Sequence, residues 1–405
     1  MRIANIICFL MPFVISTFNA QVFVTVFVSN ALAQLIAYGN IGLILFGISL
    51  NLKKSGQFSD TARLWGVFYV VYYVLAIIAS AYHDNPAQVA KSIIPTIYFF
   101  GFYVYLSIPE NRELFQKVAT VAFVVSSILC IYLFKINFSI DHGGIYQYRI
   151  DRAGGVFGDA NNAALVAILS FIFLFKNYNP TTKAKKIVKI ALLATMVYCL
   201  FITFSTTGFF VFAISMVMLN HKFFTPKRIF LVIILLPIFY IAMINLNSLT
   251  SGLNLTEHQK FKINNLVNLL TLKTDEVDSS GRDDLLANLL EYVYESPYMG
   301  NGVDFAIGQR GHNTIIGVWA DAGILALLVF LFMLFMYFKN AIKAPPGVRF
   351  FTIPILMVLC IFMLSLQSVI NQPYLIALFV YLAYIIDSSN DPYKYRYPKT
   401  VANVI

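Results

Sequence analysis

The chain has 405 residues, 59% of them hydrophobic and only 12% charged, with a mean hydropathy of +0.75. That composition excludes a soluble domain of this size and leaves a polytopic membrane protein. The net charge of +10 does not point to nucleic acid, because the basic residues follow alternate loops, as the positive-inside rule describes.

Crossing a hydrocarbon core about 30 Å thick takes about 20 apolar residues. In chain order, segments of that kind fall at 4–26, 33–51, 65–82, 92–108, 118–137, 161–176, 188–205, 207–221, 229–247, 313–338, 350–369 and 374–388. The pair at 188–205 and 207–221 is nearly fused. Arg2 precedes the first segment without a small-residue cleavage site after it, so a retained helix is expected. Counting loops alternately puts 20 of the 29 basic residues on one side and nine on the other. Both termini are therefore expected in the cytoplasm, with the long polar segment 248–312 outside. The expected fold is an all-α polytopic membrane protein: one membrane domain over 1–405, about twelve transmembrane helices, and one large extracytoplasmic loop containing amphipathic helices. Cys8, Cys130, Cys199 and Cys360 fall inside apolar segments and read as small core residues. The tail from Asp391 to Lys399 is basic and aromatic and reads as an interfacial anchor.

The long loop carries its own pattern. Ser280 and Asp283 match a capping box, and Leu285, Leu286, Leu289, Leu290 and Val293 share one helical face. Pro297 stops that pattern, so an amphipathic helix of about four turns is expected over 281–295, lying on the membrane or on the helix bundle. A second, less regular one is expected over 255–271.

Two residues there suit anion chemistry. Arg282 falls in a helix first turn, where a cation opposes the helix dipole; it is either a solvated arginine or a phosphate ligand. His312 precedes an apolar helix, with Asn313 as its candidate N-cap. A helix start disfavours imidazolium, so His312 is either an interfacial histidine bonded to water or a general base. A third polar stretch, Arg149 to Asn162, is glycine-rich and runs into a membrane segment. Arg149 and Arg152 flank the membrane there. Asp159, Asn161 and Asn162 are either ordinary caps or sugar contacts, and the glycines can expose backbone N–H groups to an anion. No His/Cys cluster or HExxH marks a metal site, and no phosphate-binding glycine loop marks a nucleotide. The first five segments hold almost no mid-helix charge, against what a transporter commonly carries.

These residues resemble the O-antigen polymerase and O-antigen ligase superfamily. The resemblance rests on Arg282-Asp-Asp-Leu, Glu295-Ser-Pro297-Tyr-Met-Gly300-Asn-Gly302, and His312-Asn-Thr-Ile-Ile-Gly-Val-Trp-Ala-Asp-Ala-Gly323-Ile-Leu. The stretch from Arg152 through Gly158-Asp-Ala-Asn161 is similar to a second family segment. The resemblance implies a metal-independent, inverting glycosyltransferase on the outer face of a bacterial cytoplasmic membrane. Its donor would be an undecaprenyl-diphosphate-linked oligosaccharide, with no cofactor. Arg282, with Arg152 or Arg149, would neutralise the leaving diphosphate, and His312 would take the acceptor proton. Asp159, Asn161 and Asn313 would contact substrate. Partners would be membrane lipids and a chain-length regulator. One departure stands out: the turn Ser205-Thr206-Thr207-Gly208 lacks the arginine that family members often carry after its serine. That shifts the expectation from ligase toward polymerase. A flippase for lipid-linked sugars is the alternative of another class.

Overall fold

The computed structural model describes residues 2–83, 93–140, 143–146, 150–223, 241, 245, 255–271, 273, 282–367 and 369–395. Among them, five helices are long and apolar enough to cross a membrane: Asn30–Lys54, Asp60–Tyr82, Pro109–Lys135, Ala160–Asn177 and Thr314–Lys343. Ile3–Thr17 and Ala20–Phe27, bent by 63°, make a sixth crossing if taken together. The chain is a multi-pass, all-α membrane protein. Among the described residues one minimal hairpin, Phe138–Ser139 against Gly144–Ile145, is the exception.

Twelve full crossings are therefore not reached among the described residues. The other expected segments do form helices, apart from 229–247, of which only Ile241 and Asn245 are described. Ile93–Ser107, Thr206–Leu219 and Pro346–Phe362 have 15, 14 and 17 residues. At about 1.5 Å per residue each spans at most about 26 Å. Lys183–Ile202 begins with four lysines in its first seven residues.

Pro373–Asn390 lies at the centre of the bundle, with fifteen of its eighteen residues buried, from Tyr374 to Ser388. A helix apolar on every face suits a position walled by other helices. Ala160–Asn177 is nearly as enclosed. Aromatic rings fill the space between them and their neighbours: Trp65 lies 4.3 Å from Phe379 between ring centroids, and Phe115 5.0 Å from Tyr381. Cys8, Cys130 and Cys199 are buried and Cys360 is half-buried, all four as free thiols.

At one end of the bundle several buried polar groups find partners across the chain. Asp387 accepts from the Ser59 hydroxyl at 2.6 Å and from the Thr61 N–H and hydroxyl at 2.9 and 2.5 Å. Arg112 donates to the carbonyls of Leu106 (2.7 Å) and Ser107 (3.1 Å) and to the Ser388 hydroxyl, and lies 4.8 Å over the Tyr384 ring. Such satisfaction is required where water is excluded. The tail docks here too: Asp60 accepts from Lys394 Nζ at 2.5 Å and from the Tyr395 hydroxyl at 2.8 Å.

Thr314–Lys343 is interrupted. Gly323 has φ 78° and ψ 178°, so the helix stops after Ala322 and restarts at Ile324. The turn from Pro297 to Gly302 supplies the lost hydrogen bonds. The Asn301 N–H donates to Ala320 O (2.8 Å), the Gly302 N–H to Asp321 O (3.0 Å), and the Ile324 N–H to Pro297 O (2.9 Å). A broken helix is tolerated at membrane depth only when its freed backbone groups are satisfied in this way.

The amphipathic helix expected over 281–295 runs from Arg282 to Glu295. Its Leu289 and Val293 are fully buried against Ala306 and Ala320, with Phe305, Ile316 and Trp319 around them, so it lies on the bundle. Ser280, its expected cap, falls outside the described residues. The second helix is Glu257–Leu270.

Candidate functional site

The opposite end of the bundle gathers most of the polar residues picked out above. Four helices start there: Ala160–Asn177, Thr206–Leu219, Thr314–Lys343 and Pro373–Asn390. Their N-termini present partial positive charge, which favours an anion.

Asp159, Asn161 and Asn313 help to hold these helix starts in place. Asp159 caps the first, accepting from the Asn162 N–H at 2.8 Å. Asn161 is buried and accepts from the Ser205 hydroxyl at 2.8 Å. Ser205 in turn caps the second helix through the Gly208 N–H at 3.1 Å. Asn313 caps the third, accepting from the N–H groups of Ile315 and Ile316 at 3.0 and 3.1 Å.

Arg152 reaches the turn that lacks an arginine of its own. Its Nε donates to Thr203 O at 2.9 Å, and the neighbouring Ala153 N–H donates to Ile202 O at 2.9 Å. The guanidinium therefore sits beside the 203–208 turn. Arg152 also lines a recess of about 30 Å³ with Gly154, Gly155 and Gly158. Gly155 and Gly158 have φ of 55° and 70°, which closes the loop over Cys130. Arg149 lies outside the described residues.

The helix Glu257–Leu270 is pinned above this loop. Gln259 Nε2 donates to Asp151 O at 2.7 Å. That brings His258 close to Arg152. Burial, then repulsion from Lys262 and Arg152, hold the His258 imidazolium below the usual histidine range, against a smaller opposing pull from Asp151. Only the docking of this helix gives His258 these neighbours.

His312 ends a strained loop. Asp304, Arg310 and His312 have φ of 56°, 54° and 43°, each costing on the order of 1 kcal/mol for a non-glycine residue. Strain of this kind persists where surrounding contacts over-determine it, and here they do. The Ala306 N–H donates to Asp321 Oδ1 at 2.7 Å, and Tyr72 OH donates to Asp321 Oδ2 at 2.6 Å. The Val303 N–H donates to Ser80 Oγ at 2.9 Å, and Gln367 Nε2 to Ala306 O. Asp321 was visible in the motif but carried no role there; a buried carboxylate inside a membrane helix was the available signal.

Two amides join the His312 loop to the Arg152 side. Asn371 Nδ2 donates to Asp304 Oδ1 at 3.1 Å, and Gln372 Nε2 to Asn162 Oδ1 at 3.2 Å. The buried acceptors Asn371 Oδ1 and Gln372 Oε1 have no partner among the described residues. They suit hydroxyl donors. Sequence reasoning missed both residues, which follow an apolar segment without any motif.

The backbone of Arg282 opens its helix about two turns before Leu289, that is about 10 Å along the axis. Leu289 packs directly on Gly311, where a Cβ would meet its Cδ2 at 2.3 Å. Arg282 and His312 are thus carried on touching elements.

A family model described as O-antigen ligase matches residues 191–331, which agrees with the O-antigen polymerase and ligase superfamily. The match begins in Lys183–Ile202 and runs through both amphipathic helices, His312 and the Gly323 break. No curated protein and no solved structure matches the chain.

Proposed function

We propose that the protein polymerises undecaprenyl-diphosphate-linked oligosaccharide repeat units on the outer face of a bacterial inner membrane, with both termini in the cytoplasm. The observation that carries this reading is Arg152 bonded to Thr203 O, beside the start of Thr206–Leu219 and its contact with Asn161. Arg152 supplies, from a neighbouring loop, the cation that the 205–208 turn lacks. A planar guanidinium suits the two developing charges of a diphosphate leaving group.

Arg282, and Arg149 with it, would complete the neutralisation. His312 would accept the proton of the incoming sugar hydroxyl, and one direct displacement inverts the anomeric centre. The orphan acceptors of Asn371 and Gln372 would take sugar hydroxyls. The lipid diphosphate already activates the sugar, so the donor brings its own leaving group and no nucleotide or metal is called for. A chain-length regulator fits the same cycle as a partner.

The description of the matching family favours a second reading, ligation of finished glycan to lipid A core. Purified protein given undecaprenyl-diphosphate oligosaccharide alone should yield a ladder of longer lipid-linked glycans. Product that forms only when lipid A core is added identifies a ligase. Labelled lipid crossing the bilayer without product would make it a flippase.

A further inference from the structure

We infer that the end of the bundle opposite the Arg152 and His312 site holds a binding site for an anionic phospholipid. Ala160–Asn177 runs from one end to the other, about 27 Å at 1.5 Å per residue, and a chamber of about 430 Å³ opens where it finishes. Polar and apolar walls divide this chamber. Arg112, Lys117 and Lys176 face it against the carboxylate of Glu113, a net formal charge of +2. Glu113 is engaged by Lys117 at 2.6 Å. Arg112 is buried and fixed by its bonds to Leu106, Ser107 and Ser388, so its charge is held in place. Lys176 is half-buried, with the like charges of Lys222 and then Lys189 nearby. An anionic oxygen there offsets those charges. Val348 and Phe351 form the apolar wall.

A second, almost wholly apolar groove of about 290 Å³ shares Lys117 and Val121 with the chamber. It continues along Pro109–Lys135 past Ala122 to Val125, with Phe18 on its other side. From Lys117 to Val125 is eight residues, about 12 Å of rise, close to the thickness of one leaflet's hydrocarbon. A basic chamber leading into an apolar groove of leaflet depth matches a phosphate headgroup followed by an acyl chain. A free phosphate would have no use for the groove. This site does not depend on the glycosyltransferase reading, because its test reads binding and not turnover.

The experiment uses the full-length protein, delipidated in detergent, with bound lipid counted by native mass spectrometry. Phosphatidylglycerol should be retained about five-fold more than phosphatidylcholine. Lys117→Gln and Lys176→Gln should each lower phosphatidylglycerol retention about five-fold, the effect of one basic group near an anionic headgroup. Both side chains are at least partly solvated, so the variants should fold. Val121→Trp, which fills the groove mouth, should lower retention without altering those lysines. Equal retention of the two lipids overturns the proposal, as does wild-type retention in both lysine variants. Inorganic phosphate that displaces phosphatidylglycerol while Val121→Trp has no effect would show a free-anion site and overturn the lipid assignment.

Discussion

Gly323 and the backbone of Tyr298 meet so closely that a Cβ on Gly323 would lie 2.0 Å from the Tyr298 carbonyl oxygen. The 297–302 turn plugs the helix break at that contact. Gly323→Ala would add a backbone clash to a φ of 78°, a conformation that alone costs about 1–3 kcal/mol for alanine. A large drop in Tm in detergent is expected. Gly308→Ala is the control, since a Cβ there meets nothing within 4 Å, and its Tm should stay near wild type.

Asp321 joins the Ala306 N–H to the Tyr72 hydroxyl inside the bundle. Asp321→Ala leaves two buried donors without their acceptor, at about 1–3 kcal/mol each, and frees the loop that leads to His312. Activity should fall together with Tm. Tyr72→Phe takes away one donor and leaves Asp321 Oδ2 unpaired, at about 1–3 kcal/mol, but keeps the Ala306 bond that holds the loop, so its loss should be the smaller. Equal losses in the two variants would mean that the loop is held by something else.

Arg152 and Arg282 are expected to act through fork geometry as well as charge. Arg152→Lys and Arg282→Lys should each lose about 10²-fold in turnover on a lipid-diphosphate donor, the scale of one lost oxyanion donor. Near-wild-type turnover of purified Arg282→Lys would remove bidentate contact from its role. Arg152→Lys also loses the Nε bond to Thr203 O, so its Tm must be measured alongside.

His312→Ala should abolish glycan extension, at least the 10²–10⁴-fold expected of a general base, while membrane insertion stays normal. Polysaccharide of normal length from that variant at native expression would reduce His312 to a structural residue.

Burial, then repulsion from Lys262 and Arg152, lowers the His258 pKa from the ordinary histidine value of 6.5. A depressed histidine pKa means that the folded state resists protonation, so stability should decline as pH falls below about 6.5. An anion bound beside Arg152 and Lys262 would draw the proton on, so donor analogue affinity should rise over the same window. His258→Gln should flatten both trends; unchanged pH profiles would place the titration elsewhere.

Sequence alone determined the class of this protein and its one regular surface helix. Apolar segments of membrane length are a local property. So is the spacing of Leu285, Leu286, Leu289, Leu290 and Val293, which placed a helix over 281–295 against the observed Arg282–Glu295. The motif residues around His312 and Gly323 were equally plain to read. Tertiary structure decided what those residues touch. Arg152 meets Thr203 across 51 positions, Gln372 meets Asn162 across 210, and Tyr72 meets Asp321 across 249. Pairings at such separations depend on which helix ends are stacked at which end of the bundle, and no local periodicity encodes that. The break at Gly323 is of the same kind: an Ala-Gly-Ile sequence continues a helix unless another segment arrives to satisfy the freed backbone groups, and the turn at Pro297 to Gly302 is that segment.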